Sequence, residues 1–166
     1  MQRVSTTSAD FSPCGRYRYT LRRAWTGRRA VPPRRERLLI IALNPSTADA
    51  ERDDPTIRRC IGFAQAWGFR SLCVANLFAW RATRPADLKL APDPVGPDND
   101  AWLRHEARRA GLVVAAWGVH GVHQGRDAAV RAMLPMLYCL RRTRDGHPAH
   151  PLYLPKTLRP VAMGPE

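Results

Sequence analysis

The 166 residues suffice for one domain with a sizeable core and are too few for two ordinary ones. The chain is 45% hydrophobic and 25% charged, a globular composition, and no apolar run approaches the roughly 20 residues of a membrane span. Its formal charge of +13, from 27 basic against 14 acidic residues, makes a field that attracts polyanions, so nucleic acid or a nucleotide is the expected partner and a membrane is not.

The charge is uneven. Arginines 3, 16, 18, 22, 23, 28, 29, 34, 35 and 37 face only Asp10 and Glu36 in the first 37 residues, which alone carry +8. Residues 1–15 read as loosely ordered and residues 16–37 as a basic strand or hairpin region. Tyr17, Tyr19 and Leu21 alternate with Arg16, Arg18, Thr20 and Arg22, a strand pattern with a core face and a wet face. The same alternation also suits base stacking and phosphate pairing. Thr26-Gly27 should turn the chain, and Pro32-Pro33 should stiffen the lead into the next strand.

Leu38 to Leu43 is an unbroken apolar run with β-branched members, the pattern of a central parallel strand buried on both faces. Pro45 stops it, leaving Asn44 as the first polar side chain past its end. Asp54-Pro55 reads as N-cap and N1 of a helix with Ile57, Cys60, Ile61 and Ala64 inward, ended by Gly68. The next strand is expected at 72–77. Residues 78–99 hold four prolines and little periodicity, so a long functional loop is expected there. A helix from Asp98 or Asn99 to about Ala110 follows, then a strand at 112–117, a helix near 126–134 and a strand near 136–140. The α/β core should span 38–154, with 155–166 a tail of the same single domain. Strand, helix and strand in succession predict a three-layer α/β/α sandwich around a short, mainly parallel sheet.

Such a sheet delivers its strand ends to one rim, the usual ligand edge. Here that rim should carry Asn44, Pro45, Ser46, Asn76 and Trp117, with His147 and His150 brought over by the late loop. Asn44 can hold a ligand or a water, or simply close an Asx turn. Asp49, Asp53 and Asp54 match no oxygen-ligand loop, and His120-x-x-His123 has no evident third ligand, so no metal is expected. The P-loop, the dinucleotide fingerprint and the hydrolase elbow are all missing, and no cofactor is expected. Cys14, Cys60, Cys73 and Cys139 form no C-x-x-C pair and read as buried free thiols of a reducing cytoplasm. The first residues lack the apolar stretch of a secretory signal, which agrees with a cytoplasmic location. Oligomeric state is not legible.

Several stretches carry a resemblance: Leu43-Asn44-Pro45-Ser46-Thr47-Ala48-Asp49, Asp53-Asp54-Pro55-Thr56-Ile57, Asn76-Leu77-Phe78-Ala79-Trp80-Arg81-Ala82-Thr83, Ala116-Trp117-Gly118 and His150-Pro151-Leu152-Tyr153. From about Cys14 to Leu154 the chain resembles a bacterial and phage domain family of unknown function. More remotely, its motif order resembles the uracil-DNA glycosylase superfamily, above all the mismatch-specific and thymine-DNA branch. Ala42-Leu43-Asn44-Pro45-Ser46 is similar to that branch's Gly-Ile-Asn-Pro-Gly, whose asparagine holds the attacking water, although Ser46 stands where the branch has glycine. His150-Pro151-Leu152 is similar to a His-Pro-Ser-Pro-Leu motif whose histidine donates to the base carbonyl.

The resemblance implies hydrolysis of an N-glycosidic bond to a damaged or mismatched base. Asn44 and His150 would be catalytic, Asn76 would shape the base pocket, and Phe78 or Trp80 would stack on the base. Phosphates would be held by the arginine field, with Arg16, Arg18, Arg58 and Arg81 as candidates. The alternatives are a hydrolase of a free nucleoside or modified nucleotide, and a non-catalytic nucleic-acid or nucleotide-binding module of the same fold.

Overall fold

A computed structural model describes residues 2–25 and 36–164. In chain order its elements are β1 (Thr6–Phe11), β2 (Arg18–Ala24), β3 (Arg37–Ala42), α1 (Pro55–Ala66), β4 (Ser71–Asn76), α2 (Pro85–Leu90) and α3 (Asn99–Arg109). There follow β5 (Leu112–Ala115), an irregular 3-10 stretch (Val119–Gly125), α4 (Arg126–Met133), β6 (Tyr138–Cys139) and β7 (Val161–Ala162). The seven strands form one sheet in the order β1-β2-β4-β3-β5-β6-β7.

Strand β3 is the centre, parallel to β4 on one side and to β5 on the other. All six of its residues are buried, as expected for a strand covered on both faces. Alternation sends Leu38 and Ile40 into one apolar cluster with Ile57, Cys60, Ile61 and Ala64 of α1. Leu39 and Ile41 enter a second cluster with Leu88 of α2, Leu103 of α3 and Val130 of α4. Helix α1 opens as its sequence demands: the Asp54 carboxylate accepts from the Ile57 N–H at 2.8 Å, with Pro55 at the first helical position. Gly68, at φ +83°, takes the left-handed conformation that ends it.

The sheet is mixed, not mainly parallel: β1–β2, β2–β4 and β6–β7 are antiparallel. The segment expected to be loose at 1–15 instead contributes β1, which pairs along β2 from Thr6 to Phe11. The tail also joins the sheet, through β7 and the buried Met163. The expected strand at 136–140 shrinks to Tyr138–Cys139, and the long connection after Phe78 contains α2. Three thiols are buried and Cys14 is exposed; burial pushes the Cys60 thiol up to about 12. The expected turn at Thr26-Gly27, the Pro32-Pro33 lead and arginines 28, 29, 34 and 35 lie outside the described residues.

The arginine face of β2 is not wet. A register shift between Asp10 and Phe11 breaks the alternation, and β2 sits between β1 and β4 with Arg18, Thr20 and Arg23 all buried. Each guanidinium finds a partner. Arg23 pairs with Asp53 at 2.9 Å and donates to the Asp49 carbonyl. Arg22 reaches Asp10 and the fully buried Glu106 of α3, which also accepts from Arg37 at 3.3 Å. That one carboxylate ties α3 to two strands. Among the described residues no helix is long and apolar enough to cross a membrane.

Candidate functional site

The β3–β4 register runs level from Arg37↔Ser71 to Ala42↔Asn76, so both strands release their chains at the same edge. Beyond it the parallel pairing continues through backbone bonds from Leu77 N–H to the Ala42 carbonyl and from Phe78 N–H to the Leu43 carbonyl. A cleft of about 510 Å³ opens there, a size that suits a small ligand. Asn44, Ser46, Asn76, Trp117 and His150 all line it.

The floor is polar and unsatisfied. Among the described residues nothing hydrogen-bonds the amide oxygen or amide nitrogen of Asn76, which is 1% exposed, or the buried Trp117 Nε1. Its backbone is well held, because the Asn76 carbonyl accepts from Asn99 Nδ2 at 3.0 Å. An orphaned buried amide costs about 1–3 kcal/mol, so one at a cleft floor calls for an explanation.

Asn44 has a structural duty as well. Its Nδ2 donates to the Ala82 carbonyl at 2.8 Å and to the Pro45 carbonyl at 3.0 Å, while Ala82 N–H returns a bond to Pro45. The Asn-Pro-Ser motif is thereby strapped to the segment after β4, and Oδ1 is the function Asn44 has left for a ligand. Pro45 is buried in that strap and contributes its carbonyl to it, not a face to the cleft.

Asp54 enters the cleft from the start of α1. Among the described residues one of its carboxylate oxygens is hydrogen-bonded, by the Ile57 N–H. Its charge acts favourably on both His150 and Arg18. Arg18, 2% exposed, donates from Nη1 to the Ala48 carbonyl at 2.7 Å, and burial lowers its pKa to about 10 against that pull. It is therefore a cleft-wall cation, not an arm on an open surface.

His150 arrives on the late loop because Gly118 N–H holds the Pro148 carbonyl at 2.8 Å. Gly118 itself has φ +71°, a left-handed turn that favours glycine. The Leu152 N–H donates to His150 Nδ1 at 3.1 Å, which puts the proton of the neutral ring on Nε2. His150 is exposed as a residue, but partial desolvation of its ring against the cleft wall lowers its pKa, with Asp54 opposing, which favours the neutral ring at pH 7. The unfolded chain then binds a proton below about pH 6.5 that the folded chain resists, so stability is lost as pH drops through that window. Denaturant titrations from pH 7 to 5 should show a shallower loss for His150→Gln than for the wild type.

Other sequence-chosen residues lie elsewhere. Phe78 is fully buried in the second cluster, tilted against His123 at 5.7 Å, and lines no wall of the cleft. Trp80 packs edge-on against Tyr17 at 5.6 Å, outside the cleft. His147 closes a turn, its N–H on Thr143 Oγ1 and its carbonyl on Thr143 N–H, and lines no cleft wall. Arg16 and Arg81 are exposed neighbours, with Arg81 donating to the Gly15 carbonyl and lying 5.0 Å over the Phe11 ring. Arg58 is exposed on α1. Asp49 caps the Glu51 and Arg52 N–H groups and Asp53 pairs with Arg23; among the described residues no group of three His, Cys, Asp or Glu could hold a metal.

Sequence reading missed Asp54 and Arg18 as cleft residues. The Asp-Pro cap signal accounts for Asp54 so well that a second role has no separate mark, and Arg18 is one arginine among ten in its segment.

No curated protein and no solved structure matches the chain, and the uracil-DNA glycosylase likeness draws no support from those comparisons. One family model, described as "Protein of unknown function (DUF1643)", matches residues 18–152, a span that takes in β2 through the His150 loop and every cleft-lining side chain discussed above. The chain belongs to the DUF1643 family.

Proposed function

We propose that the cleft binds a nucleobase and hydrolyses its N-glycosidic bond, in a layout like that of the uracil-DNA glycosylases. The observation that carries the reading is Asn76: a buried side-chain amide with donor and acceptor both unpaired, the complement of a base edge that offers one acceptor and one donor. Asp54 takes a proton from water, whose other hydrogen is held by Asn44 Oδ1. The water oxygen bonds to the sugar C1′ as the C1′–N bond breaks, and the electron pair leaves with the base. His150 Nε2–H donates to the base carbonyl where that charge develops. A neutral histidine suits this task, since it donates without needing an acidic medium. The remaining polar wall, Arg18 above all, offsets the anionic character of the departing base.

Oligonucleotides bearing uracil, mismatched thymine, hypoxanthine or alkylated bases, together with free nucleosides, form the test panel. At least one should yield an abasic, alkali-labile product or a released base. Asn76→Val places a β-branched apolar residue of similar size in a central strand. It should weaken substrate capture at least about 10-fold while the melting temperature holds or rises, because it removes the unpaired amide. A fall in melting temperature with undiminished turnover would assign Asn76 to the fold. No product across the whole panel defeats the hydrolytic reading.

A further inference from the structure

A second concavity of about 1240 Å³ lies across α1 from the cleft. The two share walls. Thr56 and Ile57 of α1 line the cleft while Arg58 and Arg59 line the groove, and the loop that brings His150 to the cleft continues into Tyr153 and Lys156 on the groove.

The charge of the groove is one-sided. Arg58, Arg59, Arg70 and Lys156 line it, and among the described residues no Asp or Glu does. Arg70 pairs with Glu36 at 3.6 Å, and Arg58 gives one N–H to the Asp53 carbonyl. Arg59 lies over the Phe63 ring at 5.5 Å, with a buried Nε that makes no hydrogen bond among the described residues. Aromatic faces look into the same space: Phe69 is half-buried, and Tyr153 is 91% exposed. Tyr153 also has φ +69°, a left-handed backbone that bulky residues avoid.

Cations without carboxylates select a polyanion, and open aromatic faces stack on bases that are not already stacked in a duplex. We propose that this groove binds a segment of single-stranded nucleic acid, with phosphates on Arg58, Arg59 and Lys156 and a base on Tyr153. The proposal rests on the cleft reading at one point only, that the bound strand continues into the nucleotide held there. Strand binding itself needs no catalysis.

Fluorescence anisotropy with a labelled oligothymidylate, and with a duplex of equal length, tests it at about 50 and about 200 mM salt. The single strand should bind more tightly than the duplex. Tyr153→Ala should weaken it about 10-fold, the loss of one stacked base. Arg58→Glu with Lys156→Glu should flatten the log–log salt slope by about 1.4, near 0.7 for each phosphate contact removed. All three side chains are exposed, and melting curves matching the wild type verify that the variants fold. The control is Arg108→Glu with Arg109→Glu at the exposed end of α3, on the other face of the sheet. An equal loss from that control, a preference for duplex, or no binding at the lower salt overturns the groove. Strand binding that needs Tyr153 but survives Asn76→Val, with no base released from any substrate, upholds the groove and defeats only the cleft reading.

Discussion

Asp54→Asn should slow base release by about 10²–10⁴-fold and leave the fold nearly as stable as the wild type. The two halves of that expectation come from two properties of one side chain. Asparagine caps a helix about as well as aspartate, so the bond to the Ile57 N–H survives in the variant. An amide oxygen does not take a proton from water near neutral pH, so general-base assistance is lost, and such assistance is typically worth two to four orders of magnitude. Asp54→Ala removes both properties and should additionally cost about 1 kcal/mol of stability. Single-turnover rates on whichever substrate the panel identifies, paired with melting curves, separate the effects. Wild-type turnover in Asp54→Asn beside a destabilised Asp54→Ala would leave Asp54 a cap and nothing more. Asn44→Ala is the less clean probe, since the Asn44 amide also straps the motif to Ala82.

Glu106→Ala should lower unfolding stability by about 3–5 kcal/mol, the usual cost of stranding a buried charge. Arg37 carries most of it: its side chain is 9% exposed, and its ion pair is with Glu106. Arg22 has other recourse, with Asp10 alongside and the Trp102 ring 5.8 Å from its guanidinium carbon. Against a total of about 5–15 kcal/mol for an ordinary domain, the loss moves the midpoint of denaturation far enough to measure. Arg37→Met combined with Glu106→Leu should recover most of it, because an apolar pair of similar volume needs no charge compensation. A single Glu106→Ala within about 1 kcal/mol of the wild type would mean that water reaches the site and screens it.

Local chemistry was legible wherever one stretch of chain decides its own conformation. The Leu38–Leu43 run is apolar on both faces, and only a central strand buries both, so β3 and its place in the sheet follow from sequence. Asp54-Pro55 and Gly68 likewise bracket α1 through their own hydrogen bonding and backbone preferences. The Asn44 and Asn76 ends of neighbouring parallel strands meet because parallel register puts like ends together. Other features depend on partners far along the chain. Whether Arg18, Arg22 and Arg23 are wet or buried turns on β1 and β4 flanking β2, on a register shift between Asp10 and Phe11, and on partners as far as 84 residues away. Two-residue strands such as β6 and β7 hold by pairing with neighbours, since a segment that short has no periodicity to read. Phe78, Trp80 and His147 carry the right chemistry for a base site, yet the direction of a side chain past a strand end is set by the packing around it. By itself the sequence determined the central strand, the capped helix and the edge at which β3 and β4 both end. Tertiary structure alone decided which side chains reach that edge, because desolvation and charge pairing act through contacts that no local pattern encodes.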